Sequence, residues 1–293
     1  MIVVDFNQTA ISTFMAETRG RTDLEVNLPL LRHMIINTIR GYKIKFGKEF
    51  GQIVIACDNR HYWRRQVFPH YKASRKKARE ASGYDWPSIF EALHQIRNEL
   101  DQFFPYPVID VEGAEADDVI GTLAEYSQTQ TQPGALFDEP QPLLVISGDH
   151  DFQQLLKWDN VKQFSPMKKK IAKLTESPEA VLMEHIITGD KGDGVPNILS
   201  DDDTFVTDKR QKPIRKTLLA EWKKMKPEDF ITGDMAAGYV RNKELVDLSM
   251  TPPEIKESII SSYERQLNKD KSQLLNYFMQ YRLKNMMDVL EDF

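Results

Sequence analysis

The sequence predicts an α/β fold: a central, twisted, mostly parallel sheet flanked by helices, with a smaller helical region toward the C-terminus. Three observations carry this expectation. Short, nearly continuous apolar runs recur at Met1 to Phe6, Gln52 to Asp58, Tyr106 to Val111, Leu143 to Ser147 and Val161 to Phe164, as expected of strands covered on both faces. Amphipathic stretches at Pro29 to Phe46, Trp86 to Phe104 and Ala116 to Tyr126 separate the first four runs, and the order βαβαβαβ implies parallel strands with helices on both sides. After about residue 180 strand signals fade, and helical patterns take over around Glu179 to Thr188, Arg215 to Lys224, Pro253 to Asn268 and Ser272 to Asp288.

Composition sets the class. The chain has 293 residues, 41% hydrophobic and 28% charged, enough for one large or two modest domains. No apolar run approaches the ~20 residues that span a bilayer, and the start "MIVVDFNQ" lacks the charged segment and cleavage site of a signal peptide. A cytoplasmic protein is expected, in the host cytoplasm if phage-encoded. The single cysteine, Cys57, sits in an apolar strand, which excludes a disulfide framework and suits a buried core position. Ser127 to Pro142, rich in Gln, Thr and Pro, reads as an exposed connection.

Acidic residues gather where these strands end. In "GDHDF" the two aspartates Asp149 and Asp151 follow the fourth apolar run one residue apart, so an extended backbone would aim both carboxylates to one side. Such crowding is unfavourable unless a cation sits between them. A polar turn with one aspartate capping a helix from Phe152 to Leu156 is the plainer account of that pair alone. But Asp5 closes the first strand and Asp58 the second, "EGAEADDVIG" opens a helix with Glu115, Asp117 and Asp118, and "TGDKGDGV" places Asp190 and Asp193 three apart. Ligands of open α/β sheets bind at the carboxyl ends of the strands. Oxygen-only ligation there points to a hard cation, Mg²⁺ or Mn²⁺. Two such ions about 3.5–4 Å apart suit hydrolysis of a nucleic-acid backbone. The phosphate-binding and nucleophile motifs of nucleotide triphosphatases, dinucleotide enzymes and serine hydrolases are missing.

The net charge of −5 conceals a segregated pattern. Between His61 and Ser82 lie seven cations, Arg64, Arg65, Lys72, Arg75, Lys76, Lys77 and Arg79, against Glu80 alone. Interleaved with Tyr62, Trp63 and Tyr71, they are expected to neutralise phosphates and stack on bases beside the acidic strand ends.

The ordered motifs "VVDFNQ", "ACDN" with "YWRR" and "YKASRKKARE", "EADD", "SGDHDF", "SPMKK" and "GDKGDGV" resemble the flap endonuclease or 5′-nuclease family, most closely its ribonucleases H of T-even-type bacteriophages. The resemblance covers most of the chain. It implies a PIN-like metal-dependent nuclease core over residues 1–185 and a helical duplex-binding domain over residues 186–293 containing a helix–three-turn–helix element. The basic segment, about residues 60–85, would be the family's helical arch. The activity implied is 5′-to-3′ hydrolysis of RNA–DNA and DNA–DNA duplexes and 5′ flaps, removing RNA primers in lagging-strand replication. Carried over position by position, Asp58, Glu115, Asp117 and Asp149 match the first metal cluster, and Asp151, Asp190 and Asp193 the second. Asp5 and Asp118 stand just behind them, and Lys72 and Arg75 match the pair that holds the scissile phosphate.

The resemblance also has departures. The family's glycine-rich hairpin is represented only by Lys216-Thr217, after an acidic insertion with Asp201, Asp202 and Asp203. Ile214 and Arg215 stand where the family tends to have glycine and its neighbour. A bare backbone gives close phosphate contacts, so here Lys209, Arg210, Lys212, Arg215 and Lys216 are expected to take over, helped by N–H groups at the start of the Arg215 helix. The chain begins at its first strand, so sliding-clamp binding, if it occurs, is expected to use another segment. A single-strand-binding protein is the other partner the resemblance suggests, and the chain is expected to act as a monomer. Two rival readings are a non-catalytic nucleic-acid-binding protein and a single-strand ribonuclease on a similar sheet.

Overall fold

The computed structural model describes residues 1–131, 139–233 and 235–293. The expected connection Ser127 to Pro142 falls partly outside them. Five strands are parallel, β1 (Ile2–Asp5), β2 (Ile53–Ala56), β3 (Val108–Ile109), β4 (Leu143–Ile146) and β5 (Val161–Ser165), and the short β6 (Lys170–Ile171) runs antiparallel to β5. Their order across the sheet is β3-β2-β1-β4-β5-β6. At two residues, β6 is too short to leave a periodic signal in the sequence.

Alternate residues divide between the two faces, as a strand requires. Ile2, Val4, Ile53, Ile55, Leu144 and Ile146 belong to one core cluster, which α1 (Phe6–Thr18), α2 (Leu28–Phe50) and, beyond the basic helices α3 (Arg64–Val67) and α4 (Ser74–Ser82), α5 (Trp86–Phe103) cover. Val3, Val54, Ala56, Leu143 and Val145 belong to the other, under α6 (Ala116–Tyr126). Each fully buried aliphatic side chain contributes about 1.5–3 kcal/mol of transfer free energy. Helix starts follow the local chemistry: Asn27, Asp85 and Ser177 accept N–H groups at the first turns of α2, α5 and α7 (Pro178–Thr188), each with proline at the start. Glu115 and Asp118 form a capping box on α6.

Helix α1 departs from the sequence expectation. Its N-cap is Asp5, the last residue of β1, whose carboxylate accepts the Gln8 N–H at 3.0 Å. Strand passes into helix without a turn residue, and the Thr-rich segment that follows has weak helix propensity. Residues 189–246 form α8 (Lys216–Trp222), α9 (Pro227–Phe230) and α10 (Met235–Val246), with Trp222 stacked on Phe230 at 5.2 Å. Helix α11 (Pro253–Arg265) then returns to the sheet, placing Ile255, Ile259 and Tyr263 in the core beneath α6. The single helix expected from Ser272 to Asp288 is two, α12 (Leu274–Gln280) and α13 (Lys284–Met287), divided at Arg282, whose φ of 56° is left-handed. Tyr277 of α12 joins the first core cluster, and its hydroxyl donates to Glu99 at 2.7 Å, beside the buried Arg32–Glu99 pair.

Candidate metal centre and nucleic-acid face

Register brings the acidic strand ends to one edge. Asp5 pairs with Ala56 across β1 and β2, and Val4 pairs with Ile146 across β1 and β4. Asp58 and Asp149 therefore each lie two residues past the position level with the end of β1. Asp58 is fixed at both oxygens, by the Asn7 side-chain amide at 2.6 Å and the Ala116 N–H at 2.8 Å. The 3₁₀ turn at residues 151–157 presents Asp151, whose own N–H donates to the Asp149 carboxylate at 3.1 Å.

Asp190 to Asp193 lie in a loop closed by the Val195 N–H on the Asp190 carbonyl at 2.7 Å. The Asp193 N–H also caps the Asp190 side chain at 3.0 Å. Gly189 makes this loop possible. Its φ is +66°, and a Cβ there would lie 2.3 Å from the Val195 carbonyl oxygen.

Asp5, Asp58, Asp117, Asp149, Asp151, Asp190 and Asp193 all line one cavity of about 340 Å³. Glu115 lines an adjoining cavity of about 580 Å³, whose walls include Lys72, Arg75, Lys76 and Arg79. The two share Asn7, Asp58, Lys72, Arg75, Arg79 and Phe90. Acid and base thus form two walls of one continuous depression.

The acids repel one another. Burial, then Asp58 and Asp149, pushes Asp5 up to about 7. Burial pushes Asp117 well above the usual carboxylate range, against the pull of Lys72 and with further push from Asp149, Asp151 and Glu115. Burial likewise raises Asp151 to about 7, opposed by His185 and assisted by Asp149, Asp190 and Asp193. Asp190 moves the other way. Burial acts to raise it but is outweighed by hydrogen bonds from His185 and from the Asp193 and Gly192 N–H groups, leaving it at about 2. None of the described ion pairs involves Asp5, Asp58, Asp117 or Asp149. Converging oxygen donors without their own cations fit a hard divalent ion.

The basic segment divides into buried and exposed members. Trp63, Arg64 and Tyr71 were expected on the nucleic-acid face, but they are 6%, 1% and 3% exposed. Arg64 donates to Glu115 at 3.0 Å, Asp118 at 2.8 Å and the Leu245 carbonyl at 2.8 Å. The Trp63 indole N–H donates to Asp118 at 3.2 Å, and the Tyr71 hydroxyl to Glu115 at 3.1 Å and Asp193 at 2.8 Å. These three side chains serve the carboxylates; of them only Tyr71 also lines the basic cavity. Asp118, also held by the Thr251 hydroxyl at 2.8 Å, is wholly buried behind the cavity.

Lys72 sits between Glu115 and Asp193 at 2.5 and 3.5 Å, in a left-handed backbone conformation with φ of 57°. Arg75 pairs with Asp193 and donates to the Gly192 carbonyl at 3.3 Å. Tyr62 is half-buried, and Arg65, Lys76, Lys77 and Arg79 are exposed. Arg65 lies over the Tyr62 ring at 4.8 Å and Arg79 over Phe90 at 4.8 Å.

Farther along, Lys209, Arg210, Lys212, Arg215 and Lys216 are all exposed. Lys209 pairs with Asp203 at 2.8 Å and Lys212 with Asp201 at 3.7 Å, so part of this charge offsets the insertion's own aspartates. The loop is pinned where the Asn197 side chain donates to the Lys212 carbonyl at 2.8 Å and the Lys212 N–H donates to Ser200 at 2.9 Å.

Three residues at the site escaped the sequence reading. Asn7 orients Asp58, and Gln8 accepts the Gly148 N–H at 2.5 Å and the Ser147 hydroxyl at 3.1 Å. Their signal was their place directly after Asp5 in "VVDFNQ". His185 of α7 approaches Asp151 at 3.1 Å and Asp190 at 3.5 Å. Nothing in its local sequence marks it.

Comparisons with known proteins agree with this arrangement. The family described as 5'-3' exonuclease, N-terminal resolvase-like domain, matches residues 1–189, and that described as T4 RNase H, C terminal, matches residues 176–293. The ribonuclease H of Enterobacteria phage T4 is 32% identical over 301 residues, covering 99% of this chain and 95% of that protein. A DNA polymerase I of Mycobacterium tuberculosis is 30% identical over 218 residues, 68% of this chain but 21% of the polymerase. A bacteriophage T5 flap endonuclease, in a pseudo-enzyme–product complex with DNA and metal ions, has a TM-score of 0.60 at 16% identity, covering 91% of this chain and 98% of that one. A T5 5′-exonuclease with bound zinc gives 0.59 at 16% identity, covering 92% and 98%. Those two likenesses show the fold. With both halves of the sequence matched and a relative aligned almost end to end, the chain belongs to the 5′-3′ exonuclease family and is a metal-dependent nuclease with a C-terminal region of the T4 ribonuclease H type.

Proposed function

We propose that the enzyme hydrolyses RNA–DNA and DNA–DNA duplexes and 5′ flaps from the 5′ end, removing RNA primers during replication, with two Mg²⁺ or Mn²⁺ ions at the acidic sheet edge. The observation that carries this reading is the acid-lined cavity sharing a wall with the basic one. Asp58, Glu115, Asp117 and Asp149 would hold the first ion, and Asp151, Asp190 and Asp193 the second, with Asp5 and Asp118 behind them. Bound there, the ions would lower the pKa of the attacking water and stabilise the leaving oxygen.

The protein's own groups do the rest. Asn7 and the Ala116 N–H fix both oxygens of Asp58, so its orientation is set before substrate arrives. Arg64, Trp63 and Thr251 hold Asp118, which in turn caps the helix that presents Asp117. Lys72 and Arg75 occupy Glu115 and Asp193, places that cations must take when the ions bind. Displaced, both would turn to the scissile phosphate at the shared wall. Exposed Arg65, Lys76, Lys77 and Arg79, with the Tyr62 ring, would guide the strand that bears the 5′ end.

Residues 1–185 would carry the chemistry and residues 186–293 the duplex grip, through Arg210, Arg215 and Lys216 and more weakly through the paired Lys209 and Lys212. No described helix is long and apolar enough to cross a membrane, and we place the enzyme in the cytoplasm as a monomer, with a sliding clamp or single-strand-binding protein as its replication partner. Digestion of 5′-labelled and 3′-labelled RNA-primed templates, with and without Mg²⁺, tests the reading. Early release of short products from the 5′ label, only with metal, is expected; 3′-end release or metal-independent cutting would overturn it.

A further inference from the structure

The second acidic cluster has an imidazole beside its carboxylates. Asp193 lines the same cavity as Asp151 and Asp190 and, without ions, is engaged by Arg75, by the Tyr71 hydroxyl at 2.8 Å and by Lys72 at 3.5 Å. His185 stands behind the other two acids, its Nδ1 3.1 Å from Asp151 and its Nε2 3.5 Å from Asp190. One ring nitrogen of His185 and one carboxylate oxygen from each acid lie within 4.8 Å of one another, the span of donors around a single ion.

The backbone holds this group together. His185 stands in the last turn of α7, and its carbonyl accepts the Gly189 N–H at 2.8 Å where that helix ends. The reversal at Gly189 brings Asp190 back under the imidazole. Helix α7 also packs on the 3₁₀ turn that carries Asp151. The ring is 20% exposed, its two acids 15% and 29%, so it has limited room to swing away and an ion could still enter.

We infer that His185 is a ligand of the second metal position, which with Asp151 and Asp190 forms a mixed nitrogen–oxygen site favouring Mn²⁺, Co²⁺ or Zn²⁺ over Mg²⁺. Imidazole suits transition ions, whereas Mg²⁺ prefers carboxylate, carbonyl and water. The first cluster holds only carboxylates. The two positions therefore differ in metal preference. This inference rests on the proposed two-ion reading and adds a nitrogen donor to it.

Pulsed electron paramagnetic resonance of the full chain titrated with Mn²⁺ tests both points separately. Stoichiometry reports how many ions bind, and ¹⁴N modulation reports whether imidazole touches one of them. We expect two ions and a ¹⁴N signal that His185→Gln abolishes and Asp193→Asn retains. In His185→Gln, Mn²⁺ affinity at one position should fall about 10-fold or more, the scale of losses when a metal site's supporting shell is broken, with Mg²⁺ affinity changing less. Wild-type protein with two bound Mn²⁺ and no ¹⁴N modulation overturns the histidine ligand while sparing the two-ion reading. A single bound Mn²⁺ overturns the two-ion reading, and its ¹⁴N signal still decides whether His185 is a ligand.

Discussion

Replacing Arg64 separates a structural cation from a phosphate-binding one. Its Nη1 serves Glu115 and Asp118 at 3.0 and 2.8 Å, and its Nε donates to the Leu245 carbonyl at 2.8 Å. Arg64→Met keeps most of the apolar stem and removes all three hydrogen bonds. Glu115 and Asp118, 1% and 0% exposed, would then lose a shared counter-charge in a buried site. Removing one partner of a buried ion pair costs about 3–5 kcal/mol. Glu115 keeps Lys72 and Tyr71, and Asp118 keeps Trp63 and Thr251. The loss should therefore lie near the lower figure, about 3 kcal/mol. Urea unfolding followed by circular dichroism would show a midpoint lowered by about 1–3 M, given slopes of about 1–3 kcal/mol per molar. The salt dependence of DNA binding should keep its slope. Unchanged stability together with a slope flattened by about 0.9, the signature of one lost phosphate contact, would refute the assignment.

Lys72→Ala and Arg75→Ala should each flatten that salt slope by up to about 0.9 and slow cleavage of a 5′ flap; wild-type cutting across the salt range in both variants would exclude them from the phosphate site. The pH dependence of stability should differ with metal. Asp5 and Asp151 have folded values raised from 3.8 to about 7, so the folded state holds more protons than the unfolded one between those limits, and without metal stability falls as pH rises from about 4 to about 7. Bound Mg²⁺ should flatten this fall, read as melting temperature with chelator and with Mg²⁺; identical profiles would count against ion binding at these carboxylates. Arg215→Ala combined with Lys216→Ala should weaken binding and processivity on a long duplex while sparing a short flap substrate, and equal behaviour on both would remove these residues from the grip.

Much of the sheet was legible because its strands are short apolar runs and its helices begin at ordinary caps such as Asn27, Asp85 and Ser177. Helix α1 was not, since its cap is also the last residue of a strand, and α10 lacked an apolar stripe strong enough to stand out. The acids were legible as a group because each one ends a strand, opens a helix or follows a glycine. Burial within the basic segment was not. Arg64 and Arg65 are neighbours of the same type, yet one faces Glu115 and the other solvent, and only three-dimensional packing against Leu245 and α6 separates them. His185 was hidden for the same reason. Its partners lie 34 residues before it and five after it, joined by a turn whose course depends on Gly189.

The central claim, that acids at the sheet edge hold the ions that drive hydrolysis, is tested most directly by Asp117→Asn and Asp149→Asn. Single-turnover cleavage of a 5′-labelled flap at saturating Mg²⁺ should be largely lost in both variants, while DNA binding stays intact or tightens because less negative charge faces the phosphates. Wild-type turnover in either variant would contradict the account.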